Sequence, residues 1–261
     1  MTNFEFDGEK YKKASKHQKE WGEKILSTLE LKGSESVLDL GCGDGALTKE
    51  LSEIVPAGRV LGIDASLGMI GEAKKLQMGN LAFSVQDING MDYEREFDLI
   101  FSNATLHWVK DHGKLLENCR NALKPGGTIR FNFAGDGNCS NFFAVVKAAM
   151  RRAKFKGYFC IFEWPWYMPE IGEYKKLAEK SGFEEISVWE ENADRYFADS
   201  GEMSRWIDQP SLVPFLRLIP DDSGRREFRD AVVKEMIERT KQADGTCFET
   251  FRRINVLARK K

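Results

Sequence analysis

Three carboxylates stand at the ends of three short apolar runs. Asp39 closes Val37-Leu38, Asp64 closes Val60-Leu61-Gly62-Ile63, and Asp87 follows Leu81 to Val85. Gly41, Gly43 and Gly45 alternate with Cys42 and Asp44 just after the first run. Glycines so spaced let a backbone come close to a ligand and adopt positive φ. A glycine turn between a strand and a helix opens the nucleotide site of doubly wound sheets. Gly41, Gly43 and Ala46 satisfy the dinucleotide spacing, and Asp64 lies where an acid for a ribose is expected.

Charge argues against a dinucleotide. A pyrophosphate on this helix N-terminus would face Asp39 and Asp44, and like charges in a partly desolvated cleft are costly. An adenosyl ligand with no phosphate and a positive end fits better. S-adenosylmethionine is such a ligand, with a sulfonium and an α-ammonium. Asp64 can then take the ribose hydroxyls and Asp87 the adenine amino group, with Met69 and Ile88 as apolar faces for the ring. Each acid alone reads equally well as a turn residue or cap. The specific signal is the set of three with the glycine turn.

These residues need elements to place them. Trp21, Ile25 and Leu29 recur every four residues, as on an amphipathic helix. Strands are expected at 37–40, 59–64, 81–85, 97–101 and 128–133. Helices are expected between them, with Ser66 as an N-cap and Lys124-Pro125-Gly126-Gly127 as a helix stop. Alternation of this kind predicts a mostly parallel sheet covered on both faces, with ligands outside the carboxyl ends of its strands. Gly41 to Gly45, Ser102 and Asn103 fall at those ends. Beyond residue 136 come an apolar helix, the aromatic-dense stretch Phe155 to Tyr167, a helix over 170–181 and a strand over 183–190. Proline-broken helices over 200–241 and an alternating strand over 253–259 follow. The extra helices are read as a lid.

The bulk properties bound the rest. The chain has 261 residues and a formal net charge of −2, a poor footprint for nucleic acid. Its five cysteines lack CxxC spacing, so neither a metal site nor a disulfide framework is indicated. No basic-apolar leader opens the chain, and no apolar run is long enough to span a bilayer. The expectation is a cytoplasmic protein with no nucleic-acid or membrane partner. Oligomeric state is not legible.

Val37-Leu38-Asp39-Leu40-Gly41-Cys42-Gly43-Asp44-Gly45 resembles motif I of the class I S-adenosylmethionine-dependent methyltransferases. Gly62-Ile63-Asp64-Ala65-Ser66 with Met69 and Ile70, Gln86-Asp87-Ile88, and Phe97 to Asn103 resemble the later motifs, in order, over about half the chain. Within that superfamily the sequence is similar to the trans-aconitate and juvenile hormone acid methyltransferases. Asn103-Ala104-Thr105-Leu106-His107-Trp108-Val109 is similar to both groups. Tyr11 to Lys19 is similar to the hormone-acid group, and 200–241 with 251–259 to the trans-aconitate group. The resemblance implies a Rossmann-like, doubly wound, seven-stranded mostly parallel α/β sheet with an inserted helical lid. It divides one domain into a helical segment 1–34, a cofactor core 35–136, lid insertions 137–168 and 200–245, and returning core elements 170–198 and 247–261. It places the cofactor on Asp39, Gly41, Cys42, Gly43 and Gly45, on Asp64, Ala65 and Met69, on Gln86, Asp87 and Ile88, and on Ser102 and Asn103. S-adenosylhomocysteine is the implied product.

Gln18 and Trp108 match the glutamine and tryptophan that hold the substrate carboxylate in the hormone-acid family, and both carry N–H donors. Tyr11, His107, Trp164 and Trp166 are the further pocket candidates. Methylation of a small-molecule acid needs no general base, because a carboxylate is already ionised near neutral pH. The alternatives are a carbon or phenol methyltransferase, with His107 or His17 as base, and a protein that binds the cofactor without chemistry. A tricarboxylate acceptor would need several cations, for which Arg151, Arg152 and Arg195 are candidates.

Overall fold

A computed structural model of the chain describes residues 16–261, with side chains from Trp21 onward apart from residues 209 and 210. The described elements begin with helix α1 (Lys16–Leu26), strand β1 (Ser36–Leu40), helix α2 (Ala46–Ile54), strand β2 (Arg59–Asp64), helix α3 (Leu67–Ala73) and strand β3 (Leu81–Val85). Strand β4 (Phe97–Asn103), helix α4 (His112–Ala122), strand β5 (Leu123–Ala134) and helix α5 (Ser140–Arg151) follow. Then come helix α6 (Ile171–Lys180), strand β6 (Phe183–Asn192), strand β7 (Arg195–Phe197) and helix α7 (Ser200–Trp206). Helix α8 (Val213–Leu216), helix α9 (Asp222–Thr240), strand β8 (Cys247–Glu249) and strand β9 (Arg252–Lys260) complete the order.

Seven strands form one sheet in the order β3-β2-β1-β4-β5-β9-β6. Strands β1 to β5 pair in parallel, and β9 runs antiparallel to β5. The order reverses between β1 and β4, which is where ligands bind in open α/β sheets. Alternate residues of each strand feed two cores. Leu38, Leu40, Ile100, Phe131, Phe133, Ile254 and Val256 pack with Leu115, Leu116 and Cys119 of α4 and Tyr174 of α6. Val37, Val60, Phe83, Leu99 and Phe101 pack with Ile25 and Leu26 of α1, Leu51 of α2 and Ile70 of α3. Ser66 caps α3 as expected, its Oγ accepting from the Met69 N–H at 3.2 Å.

Helix α4 stops at Ala122 as expected, and Lys124 to Gly127 then fall within β5 rather than before it. The register shifts between Phe97 and Leu99 of β4, and this irregularity takes up the extra residues, with Gly126 at φ +77°.

The chain divides into two compact units. The first runs to Asp136 and resumes at Trp166–Glu191 and Arg253–Lys261; it holds the seven-stranded sheet. The second comprises Gly137–Pro165 and Asn192–Arg252. Within the second unit, Phe142, Phe159 and Phe162 pack around Phe215, and Phe155 and Phe159 around Phe228. The part of the aromatic stretch up to Trp164 thus packs into that unit's own core. Glu249 is fully buried there and accepts the N–H groups of Asn141 and Phe142, which closes the N-terminus of α5. Among the described residues, no helix is long and apolar enough to cross a membrane.

Candidate functional site

The glycine turn leaves β1 and enters α2. The Gly41 and Cys42 N–H groups both donate to the Ile63 carbonyl, at 2.8 and 3.0 Å, which ties the turn to the end of β2. The Gly45 N–H donates to the Cys42 carbonyl, and the Ala46 N–H to Asp44 Oδ1 at 3.2 Å. The Gly43 N–H donates to Asp64 Oδ2 at 3.0 Å. Five amides that could face a phosphate are therefore spent on the turn itself, on β2 and on Asp64. The N-terminus of α2 meets its own carboxylate in Asp44. Dinucleotide turns use these same amides and this helix end for the pyrophosphate, so the turn is built for a ligand without one.

Two glycines are required by geometry. Gly41 has φ +72°, and a Cβ there would lie 2.1 Å from Thr105 Cγ2. Gly43 has φ +56°, and a Cβ there would point into open space, as expected of a backbone that faces a ligand.

Asp64 ends β2 with both carboxylate oxygens engaged by backbone. Oδ2 takes the Gly43 N–H, and Oδ1 takes the Ser66 N–H at 2.9 Å. The carboxylate is thereby held in a fixed plane at the end of β2, an acceptor geometry that suits a pair of vicinal hydroxyls. Asp39 is buried one layer below. Thr48 Oγ1 donates to its Oδ2 at 2.7 Å. Burial, with the Asp64 charge nearby, raises its pKa to about 7 against the hydrogen bond from Thr48. Asp39 is 3% exposed, so what it can offer a ligand on the turn is the field of its charge. Cys42 is also buried, and burial with the surrounding carboxylates pushes its thiol up, so it is chemically quiet.

At the end of β3, Asp87 Oδ1 accepts from the backbone and side-chain amides of Asn89, at 2.9 and 2.7 Å. The Tyr93 hydroxyl donates to Gln86 Oε1 at 2.5 Å, which leaves that amide's N–H groups for other acceptors. Ala65 is half-buried. Met69 and Ile88 are buried, Ile88 within the core beside Leu40 and Ile63.

At the end of β4, Ser102 is fully buried, and its hydroxyl donates to the Leu40 carbonyl at 2.7 Å. Its side chain ties β4 to β1, and what it offers the site is backbone. Asn103 ends the strand half-buried. Ala104 follows with φ +57°, a left-handed turn rare outside glycine, and its N–H donates to the Asn132 carbonyl at 2.7 Å. Thr105 Oγ1 donates to the Gly41 carbonyl at 3.1 Å. A short 3₁₀ turn over Leu106–Trp108 then presents His107 and Trp108. This turn is braced from below by His112, whose Nε2 meets the Leu106 carbonyl at 2.9 Å and whose Nδ1 meets the Tyr174 hydroxyl at 3.0 Å.

His107 is held as a neutral imidazole. Burial, helped by the Arg253 and His112 charges, lowers its pKa to about 3. Its Nδ1 is buried without a hydrogen-bond partner. Its carbonyl accepts the Tyr167 N–H at 2.9 Å, which draws the segment 166–169 alongside. The Trp166 ring lies 5.3 Å from the Trp108 ring, tilted by 60°. His107, Trp108 and Trp166 therefore share one place in the first unit.

Trp164 belongs to the second unit, where its ring packs on Phe143, Phe162 and Phe215 with the Lys147 ammonium 4.7 Å above it. Arg152 and Arg195 are ion-paired in that unit, with Glu235 and Glu202, and Arg151 is exposed. Tyr11 lies outside the described residues, as do the side chains of His17 and Gln18; the backbone of Gln18 falls in the first turn of α1. Thr105, His112, Asn132 and Arg253 are parts of this region that sequence reasoning missed. Only the left-handed Ala104 and the clash at Gly41 reveal how Thr105 is used.

Comparison with known proteins agrees with this geometry. Residues 37–127 match a methyltransferase domain family. A trans-aconitate 2-methyltransferase of Methylobacterium radiotolerans is 28% identical over 250 residues, covering 90% of this chain and 91% of that protein. One from Mycolicibacterium gilvum is 29% identical over 240 residues, covering 91% and 92%. Among solved structures, the YcgJ protein of Bacillus subtilis superposes with a TM-score of 0.64 at 14% identity, covering 93% of this chain and 99% of that one. A phosphoethanolamine N-methyltransferase 2 of Haemonchus contortus, in complex with S-adenosyl-L-methionine, superposes with a TM-score of 0.58 at 22% identity. That match covers 92% of this chain and 52% of that one. The two structural likenesses bear on the fold.

Proposed function

Because the chain belongs to the class I S-adenosylmethionine-dependent methyltransferases, we propose that it methylates a carboxylate oxygen of a small-molecule acid, giving a methyl ester. The relatives named as trans-aconitate methyltransferases support an acid as acceptor. Bound on the glycine turn, S-adenosylmethionine supplies a methyl group activated by a sulfonium, and S-adenosylhomocysteine is left as product.

This chain's residues divide the remaining work. Asp64, fixed by Gly43 and Ser66, holds the ribose hydroxyls. Asp87 and Gln86 serve the adenine edge, and Ala65, Met69 and Ile88 its faces. Asp39 and Asp44 surround the turn with negative charge that favours a cationic ligand over a phosphate. Gln18 and Trp108 orient the acceptor carboxylate through their N–H groups. Trp166 and Trp108 offer aromatic surface to the body of the acid and keep water away from it.

The observation that carries the acceptor class is the setting of His107, whose Nδ1 is buried without a hydrogen-bond partner to activate it as a base. An imidazole lowered to about 3 is a weak base near neutral pH. A phenol or carbon acid would need a proton removed. A carboxylate arrives ionised and needs only to be held in line. Arg152 and Arg195 are already neutralised by their ion pairs, which favours an acid with an apolar body over a tricarboxylate.

The test is incubation with methyl-labelled S-adenosylmethionine and a panel containing trans-aconitate, apolar monocarboxylic acids and phenols. The expected product is a labelled ester that releases its label as methanol in mild alkali. Alkali-stable label on a phenol or carbon, or no transfer to any acid, overturns the proposal.

A further inference from the structure

On the face of the sheet that carries α1, strands β5 and β9 bury four polar side chains in a row. Asn132 and Asn255 are register partners. Asn255 Oδ1 accepts from Asn132 Nδ2 at 2.9 Å and from both terminal nitrogens of Arg130 at 3.1 Å. Asn132 Oδ1 accepts from Arg253 Nε at 2.9 Å and Nη2 at 2.6 Å. An indole lies against each guanidinium, Trp21 of α1 at 4.7 Å from Arg253 and Trp189 of β6 at 4.9 Å from Arg130. All four polar residues are at most 6% exposed.

Packing alone does not call for this row. The opposite face of the same two strands is filled by Phe131, Phe133, Ile254 and Val256. Buried charges are commonly no more stabilising than apolar side chains of the same volume, so stability alone does not account for the row. Its upper end meets the strand-end loop. The Asn132 carbonyl accepts both from Arg253 Nη2, at 3.3 Å, and from the N–H of Ala104, the left-handed residue that starts the loop to Trp108. Arg253 therefore rests on the peptide that pins the loop carrying His107 and Trp108. Through Trp21 it also rests against α1, the helix that carries Gln18. Ile25 and Leu26 anchor the far end of α1 in the apolar core, whereas Trp21 lies one turn from Gln18.

We infer that Arg253 is a positioning residue for the acceptor: through Asn132 it sets the Ala104–Trp108 loop, and through Trp21 it sets the first half of α1. This rests on the methyl-transfer reading for its consequence in turnover, and on geometry alone for its consequence in order. Lysine in its place keeps the charge and loses the fork that reaches Asn132 at two atoms.

The experiment compares the full-length wild type with Arg253→Lys and Trp21→Leu by hydrogen exchange, by calorimetry with S-adenosylhomocysteine, and by kinetics on an acid that the wild type methylates. In Arg253→Lys, amides of 16–22 and 104–108 exchange about tenfold faster while those of 37–45 are unchanged. Affinity for S-adenosylhomocysteine stays within about threefold, and acceptor KM rises about tenfold or more with a smaller change in kcat. Trp21→Leu, which leaves β9 intact, loosens 16–22 alone. Unchanged exchange in either segment of Arg253→Lys, a uniform rise across the whole sheet, or an unmoved acceptor KM overturns the inference. A wild type that methylates no acid overturns the proposed activity, and the exchange pattern still decides the role of Arg253.

Discussion

The side chain of Thr105 rests against the α-carbon of Gly41, and its hydroxyl donates to the Gly41 carbonyl at 3.1 Å. Two strand-end loops, one expected to hold the donor and one the acceptor, thus interlock at a single glycine. Gly41→Ala forces a Cβ to within 2.1 Å of Thr105 Cγ2 at φ +72°. We expect a loss of about 2 kcal/mol or more in stability, visible in thermal denaturation, and no measurable S-adenosylhomocysteine binding by calorimetry. Adding Thr105→Gly should recover part of both losses, as contacting residues are coupled.

Asp64→Ala removes two acceptors for ligand hydroxyls and releases the N–H groups of Gly43 and Ser66. Affinity for S-adenosylmethionine should fall by about a hundredfold or more. The melting temperature should drop by only a few degrees, about what one or two lost hydrogen bonds cost. Unchanged affinity would remove the ribose assignment.

Asp39 gives the site a pH dependence. With a pKa of about 7, raised chiefly by burial, it is partly protonated at neutral pH without ligand. A bound cation favours the ionised carboxylate. Binding should therefore release protons below about pH 7, and affinity for S-adenosylmethionine should weaken as pH falls through that range. Calorimetry at pH 6.5 in buffers of different ionisation enthalpy measures the release. Asp39→Asn should abolish it.

His107 supplies the opposite expectation for turnover. With donor saturating, kcat on a carboxylic acid should be flat between about pH 6 and 9, since the acceptor is ionised and the imidazole neutral throughout. His107→Asn should cost less than about tenfold in kcat, well short of what loss of a general base removes. A rising limb that disappears in the variant would assign His107 as a base.

Trp108→Ala opens the wall formed with Trp166. Acceptor KM should rise by about tenfold or more while donor affinity changes little, because the ring packs on Trp166 whereas Thr105, which is unaltered, is the residue of this loop that meets the turn. Equal losses for both ligands would make the ring a structural one.

The donor half of this architecture is written locally, and the acceptor half is not. Asp39, Gly41 to Gly45, Asp64 and Asp87 each follow a short apolar run, so periodicity and turn chemistry find them together. Arg253 opens a strand read only as alternating, with no role given to its polar positions. They are buried because α1 covers that face, and nothing local in β9 reports the covering helix. Arg152 and Arg195 looked available as cations until their acidic partners, Glu235 and Glu202, were in place. Trp164 and Trp166 are two residues apart and fall in different units. Ser102 stands at the strand end as expected, but the use of its hydroxyl to tie β4 to Leu40 could not be read locally.

The pairing of Asn132 with Arg253 spans 121 positions. Strands β1 to β4 are joined by short crossovers and can condense from near-neighbour contacts, which form early. Strand β9 reaches β5 only after the long intervening chain has been drawn closed, a late and entropically costly step. The glycine turn thus rests on pairings between neighbouring strands, whereas the bracing of the Ala104–Trp108 loop waits on a closure that spans nearly half the chain. Cutting or permuting the chain between β5 and β9 should therefore disturb that loop more than the turn.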